Sequence, residues 1–388
     1  MYEQVGLDKN TPPHSAVEFA NNQQKSVRSS NLELYRILCM VMIVAHHYVV
    51  HSGIVATDGP LVIGPVTIKS LFLLVLGAWG KTGINCFMMI TGYFMCTSKI
   101  SLRKFLKLMG QIYLYKLLLF PIFLMAGYET FSPVRLIKLL MPFWGFSDGF
   151  TSCFIAFWLT IPFLSILVQN MTKRQHELLL ILVLGLYTVC GSIPTFNITF
   201  NYITWFCIIF FISSYIRLYP RPVFLRKSLW GWLSLVSVLF AVVSIIGLKL
   251  LFGERVGIGY FFVHDCNKIF AVAIAVFSFL WFKNMNIRYN KVINAFGAGT
   301  FGVLLIHSNS QAMRNWLWDD LVDLTGHYTL PSSQLALYSL GVVLAIFIVC
   351  NLIDQLRIAT VEKWFLDWYD KKLSSRADRL VNRLLIKE

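Results

Sequence analysis

Arg36 and His47 stand eleven residues apart in an apolar run that begins at Leu32 and continues past Tyr48. At 100° per residue, eleven helical steps return to within about 20° of the start, so both side chains share one stripe. A rise of 1.5 Å per residue sets His47 about 16 Å further along the axis. A neutral imidazole can accept a hydroxyl proton near physiological pH, which Asp, Lys or Arg cannot do without large pKa shifts. Arg36 stays charged, so its expected work is holding an anion or orienting a polar partner. His51 lies one turn beyond His47 on the same stripe, whereas His46 points about 100° away and is the weaker candidate. Titratable groups at membrane depth are costly, which favours function over decoration. The alternatives are a hydrogen-bonded structural histidine and an arginine that snorkels to the interface.

A second constellation runs from Gly80 to Tyr93 and holds Gly80, Gly83 and Gly92 with Asn85, Thr91 and Tyr93. Glycines admit close backbones, and the three polar residues offer hydrogen bonds; small-residue helix packing is the plainer reading. Lys99, Arg103, Lys104 and Lys107 follow at once and suit phosphate oxygens, or form an ordinary flanking cluster. His264, Asp265, Asn267 and Lys268 make a polar group in a later apolar segment, and His307 closes another. Asp265 and His307 are candidate ligand contacts; the alternatives are an internal Asp–Lys pair or residues close to the outer surface for the first, and an interfacial histidine for the second. Lys81 and Lys116 also fall within or near apolar runs.

These residues need a membrane scaffold to position them. Of the 388 residues, 57% are hydrophobic and 14% charged, against about 25% charged in a soluble domain. Ten spans are expected, near 32–52, 71–97, 105–126, 151–169, 177–194, 200–218, 228–250, 259–282, 292–311 and 334–354. The fold class is therefore all-α, a polytopic membrane protein. The second span is long and glycine-rich and is expected to break or bend, which is tolerated where protein or a cavity covers the freed backbone. Residues 127–150 are too polar and interrupted to cross, and suit a short amphipathic segment on the surface. The eight cysteines are scattered without a C-x-x-C pair or metal spacing, and read as small core residues.

The net charge of +15 is distributed by topology. With the N-terminus inside, cytoplasmic segments carry 24 Lys and Arg and the outer loops carry 5. An even number of spans keeps both termini in the cytoplasm, as the positive-inside rule requires. The charge thus argues against a nucleic-acid partner. Three regions follow: a polar cytoplasmic tail over 1–30, a transmembrane unit over 31–355, and a basic amphipathic tail over 356–388 suited to the inner leaflet. The first 30 residues lack an apolar stretch followed by a small-residue cleavage site, so the first span is expected to be its own insertion signal.

Arg36-x10-His47, the Gly-x-Asn-x-Phe and Thr-Gly-Tyr stretch, and the basic entry to the third span together resemble the acyltransferase-3 family of integral-membrane acyltransferases. Trp158-Leu159-Thr160-Ile161-Pro162-Phe163-Leu164 resembles that family's Leu/Pro-rich fourth span. Phe296 to His307, with Thr300-Phe301-Gly302-Val303-Leu304-Leu305-Ile306-His307, resembles its late Gly-Val-Tyr-Leu-Ile-His segment. The similarity covers residues 30–355. Leu304 replaces the late tyrosine, and Arg103, Lys104 and Lys107 keep only part of the family's paired arginines.

The resemblance implies transfer of an acyl group, with acetyl the expected case, from cytoplasmic acyl-CoA to a hydroxyl of a surface polysaccharide or lipid-linked glycan. It implies His47 as base with Arg36 beside the reaction, and acetyl-CoA held by Arg103, Lys104, Lys107, Asn85, Thr91 and Tyr93. His51, Asp265 and His307 are expected to meet the acceptor. No metal is expected, and the expected setting is a bacterial cytoplasmic membrane. A glycolipid transporter or flippase is the rival class, weakened because no two matching halves carry Gly/Pro-broken segments. A glycan polymerase or scaffold, which would need no acyl-CoA, is a third.

Overall fold

The computed structural model describes residues 29–98, 101–142, 144, 149–196, 198–252 and 256–373. Most of the 1–30 tail, residues 374–388 of the basic tail, Lys99 and Arg255 lie outside the described residues. Those described are helical or in turns, with no strand among them. The larger helices are α1 (Ser30–Val50), α2 (Ile68–Gly77), α3 (Gly80–Met95), α4 (Leu102–Met125), α5 (Pro133–Leu140), α6 (Phe150–Asn170) and α7 (Lys173–Leu184). There follow α8 (Tyr202–Leu218), α9 (Lys227–Phe252), α10 (Ile269–Lys283), α11 (Lys291–Ala298), α12 (Thr300–His307), α13 (Ser332–Arg357) and α14 (Lys363–Lys372). Among the described residues, seven helical stretches are long and apolar enough to cross a bilayer, and Tyr202–Leu218, Ile269–Lys283 and Lys291–His307 are shorter apolar helices. The chain is a multi-pass membrane protein.

Side-chain caps set many of the starts. Ser132 accepts from Arg135 N–H with Pro133 at the first helical position, Thr172 and Gln175 form a capping box, and Asn290 accepts from the N–H groups of Val292 and Ile293. Each satisfies donors that a helix N-terminus leaves orphaned. α5 has no buried residue, in keeping with a segment lying on the surface.

α1 is the hub, packing on α2, α3, α10, α11, α12 and α13. Cys39, Val44, Tyr48 and Val49 along it are fully enclosed. Lipid gives no hydrophobic drive between helices, so close packing and polar ties hold such a bundle together. Tyr35 Oη lies 2.6 Å from Ser278 Oγ, tying α1 to α10, and Tyr48 Oη lies 2.8 Å from Ser339 Oγ, tying α1 to α13. Gly83 lets α3 approach until a Cβ there would stand 2.9 Å from the Cys39 carbonyl oxygen. Leu235, Leu239 and Phe240 on α9, and Leu337, Leu340 and Leu344 on α13, are exposed and form the surface offered to lipid.

Two expected spans are interrupted. The second divides at Ala78 and Trp79 into α2 and α3, and the ninth divides at Gly299 into α11 and α12. At the latter break Asn351 and Gln355 of α13 donate to the carbonyls of Phe296 and Ala295, at 2.8 and 2.6 Å. The eighth begins ten residues later than expected, at Ile269. Residues 260–268 turn instead, because Asn267 and Lys268 donate to the carbonyls of Tyr187 and Gly191 rather than extending the helix. The boundary expected at 355/356 falls inside continuous helical structure. α13 passes through a wide turn at Ile358–Glu362 into α14.

Candidate active site

The end of α1, the break between α2 and α3, and the starts of α6 and α8 enclose a cavity of about 380 Å³. That volume is within the range of small-ligand sites. His46, His47 and His51 line it from α1, Gly80 and Lys81 from α3, and Lys116 from α4. Thr151 and Ser152 at the start of α6, Tyr202 at the start of α8, and Ser308, Asn309 and Arg314 beyond α12 complete the polar part of the wall. Lys81, Lys116 and Arg314 bring positive charge from three segments, with no carboxylate among the described lining residues. Such a wall favours negative charge that develops during a reaction.

The break in the second span shapes this wall. The Gly77 carbonyl lies 2.5 Å from His46 Nδ1, and a Cβ on Gly80 would come within 2.3 Å of the same ring. His46 is therefore seated against the break and faces the cavity, although on a helical wheel it points away from His47. The ring of His47 is 4.8 Å from that of His51 and 5.1 Å from that of His307. His47 Nδ1 lies 2.9 Å from His307 Nε2, and His307 Nδ1 lies 2.6 Å from the Val303 carbonyl. Opposite, Lys81 Nζ donates to Tyr202 Oη at 2.5 Å.

His47 and His51 thus share one cavity, but the other expected residues are elsewhere. His307 is wholly buried behind His47 and is not on the wall. Arg36 is on the His47 stripe but about 16 Å back along α1, beside Glu33 at 3.2 Å and away from the cavity wall. A direct Arg36–His47 contact is ruled out by that rise. Asn85 is fully buried; it donates to the Cys266 carbonyl at 2.6 Å and accepts from Trp205 Nε1 at 2.7 Å. Its amide is committed to joining α3, α8 and the turn before α10. The Thr91 hydroxyl donates back to the Phe87 carbonyl at 3.1 Å. Tyr93 meets Arg217, whose guanidinium donates to its hydroxyl at 3.2 Å, and Lys283 Nζ stands 5.9 Å from its ring centre.

The basic group at the start of α4 is engaged by acids of the C-terminal segment. Arg103 forks onto both carboxylate oxygens of Asp370 at 2.8 Å, and Lys107 Nζ meets Glu362 at 2.5 Å. Lys104 is exposed beside them. Asp265 pairs with His264 at 3.0 Å and does not line the cavity. Burial pushes its carboxyl up, yet the hydrogen bond from His264 and the charges of His264, Lys81 and Lys268 outweigh this and hold it below the usual carboxylate value. The alternative of an internal Asp–Lys pair gives way to a His264–Asp265 pair, while Lys268 donates to Gly191. Among the described residues no group of three or more His, Cys, Asp or Glu could hold a metal ion.

Sequence reasoning missed Arg314 and Tyr202 and set His46 aside. Their only signal was position at the ends of apolar runs, which a tertiary fold gathers and a linear reading does not. Neither the curated proteins nor the solved structures include a match to this chain. The model of one family, described as an acyltransferase domain, matches residues 29–352. With its helices, its imidazole-lined cavity and that match over most of its length, the chain belongs to the acyltransferase-3 family of membrane acyltransferases.

Proposed function

We propose that this protein is an O-acyltransferase that moves an acyl group, acetyl in the expected case, from acyl-CoA to a hydroxyl of a surface polysaccharide or lipid-linked glycan. In this reading ten helices cross a bacterial cytoplasmic membrane and both termini face the cytoplasm. The ends of α1 and α12 and the starts of α6 and α8 then face outward, so the cavity opens toward the acceptor's side. Arg36, Tyr93, Arg103, Lys104 and Lys107 fall at the inner ends, where the donor's phosphates arrive. Asp370 and Glu362 give up Arg103 and Lys107 to phosphate, exchanging one anion for another. The thioester then reaches His47 on the extended arm of the donor, across the distance that separates it from Arg36.

At the cavity, His47 accepts the proton of the acceptor hydroxyl as its oxygen attacks the thioester carbonyl carbon. The new C–O bond forms, the C–S bond breaks, and the proton passes to the departing sulfur, giving an ester and the free thiol of CoA. Lys81, Lys116 and Arg314 stabilise the carbonyl oxygen while it carries negative charge. His51 and His46 face the acceptor. Asp265 and His307 are left out of acceptor binding, the first because it is off the wall and the second because it is enclosed. The observation that carries this reading is the His47 imidazole on a cation-rich wall inside a membrane acyltransferase fold.

The test is ester analysis of envelope glycans with and without the gene, beside thioester consumption by purified protein in lipid nanodiscs. Loss of ester groups together with acyl-CoA-dependent transfer is expected. Glycan movement without thioester consumption would establish the transporter reading instead.

A further inference from the structure

His307 lies behind His47 with no exposure to water, and both of its ring nitrogens have partners. Val303 presents a main-chain carbonyl, which can only accept, so the 2.6 Å contact requires a proton on His307 Nδ1. In a neutral ring Nε2 is then a bare acceptor. The 2.9 Å contact from that nitrogen to His47 Nδ1 therefore requires the proton on the His47 side. A neutral His47 protonated at Nδ1 has its lone pair at Nε2. The opposite arrangement needs a second proton on His307, making a charge enclosed in the interior, at the cost such burial carries. The seat of His307 is rigid: it is the last residue of α12, bonded one turn back along its own helix, with the Trp318 ring edge-on at 6.3 Å.

We propose that His307 is a positioning residue that fixes the tautomer of His47, so that a carbonyl–imidazole–imidazole chain from Val303 leaves His47 Nε2 bare as the proton acceptor. This rests on the reading of His47 as base, and it adds a role for a residue that does not reach the substrate. When His47 takes the acceptor's proton at Nε2, its Nδ1–H still donates to His307 Nε2, which steadies the imidazolium without a carboxylate. When the proton moves on to the leaving sulfur, the original tautomer returns.

The experiment is ¹⁵N NMR of the full chain, labelled at histidine and held in lipid nanodiscs, with His47 and His307 resonances assigned through His47→Gln and His307→Gln. Protonated and bare imidazole nitrogens give well-separated ¹⁵N shifts. The unaltered protein is expected to show His47 protonated at Nδ1 and bare at Nε2, with His307 the same. His307→Leu is expected to mix the two His47 tautomers and to lower kcat between about 10²- and 10⁴-fold, leaving KM for acetyl-CoA within twofold. His307→Gln retains an acceptor oxygen and is expected to recover at least tenfold of that loss. His47 protonated at Nε2 in the unaltered protein would overturn the proposal, whatever the variants do. A bare Nε2 in a protein whose His47→Gln form transfers acyl groups normally would leave the tautomer lock standing and overturn the base assignment, so the two failures are distinct.

Discussion

Gly80→Ala is a one-carbon change whose consequence can be worked from the geometry. The added Cβ would lie 2.3 Å from Cγ and Cδ2 of His46 and 2.7 Å from its Cβ. Carbon atoms rest about 3.5–4.0 Å apart, so the ring or α3 must move by more than an ångström. His46 is held on its other side by the Gly77 carbonyl, and the backbone of α1 is packed on six helices. The clash is therefore expected to spread into the cavity wall that His46 shares with His47. Overpacking of this kind costs about 1–3 kcal/mol, with little offset from helix propensity because Gly80 is the first residue of α3. Beside that loss of stability, an ångström of misplacement can cost about 10²-fold in rate. The assay pairs thermal unfolding with acyl transfer in nanodiscs. Gly110→Ala on α4 is the control, since a Cβ there meets nothing within 4 Å; it should match or slightly exceed the parent in stability and match it in rate. A Gly80→Ala protein as active as Gly110→Ala would refute the reasoning that the α2–α3 break sets the geometry of the histidines.

Other expectations follow from the same contacts. Asn85→Leu should destabilise by about 1–3 kcal/mol for each of the two partners it strands, the Trp205 Nε1–H and the Cys266 carbonyl; unchanged thermal stability would reopen a ligand-binding role for Asn85. Lys116→Gln should lower kcat by about 10²-fold without moving the melting temperature, read by steady-state kinetics on the folded protein. Asp370→Asn should leave stability unmoved, because the Arg103–Asp370 pair is 45% and 44% exposed and such pairs contribute little. If Arg103 receives donor phosphate, the same change should lower KM for acetyl-CoA and Arg103→Ala should raise it; a KM indifferent to both would remove Arg103 from the donor site.

The helices were legible wherever one apolar run carried one element. α1, α4 and α6 begin and end within a few residues of the expected spans because polar or capping residues flank them. The late start of α10 was hidden, since Gly259-Tyr260-Phe261-Phe262-Val263 is apolar enough to pass for helix. Only partners some 70 to 80 residues away, the carbonyls of Tyr187 and Gly191, explain the turn. In the site, the shared stripe of His47 and His51 was readable from periodicity alone. The wheel that dismissed His46 describes one helix, whereas the cavity wraps around the end of α1 and faces two sides of it. Arg103 and Lys107 could be read as phosphate ligands because the acids that meet them stand more than 250 residues later. The His47–His307 contact joins residues 260 apart, and no local pattern encodes it.

The most direct measurement is acyl transfer from acetyl-CoA by purified His47→Gln protein in nanodiscs, with folding verified by its thermal transition. Loss of about 10²–10⁴-fold in transfer rate, with acetyl-CoA still bound, is the expected result. A folded His47→Gln protein that transfers acetyl groups at the parent rate would contradict the assignment of this imidazole as the proton acceptor.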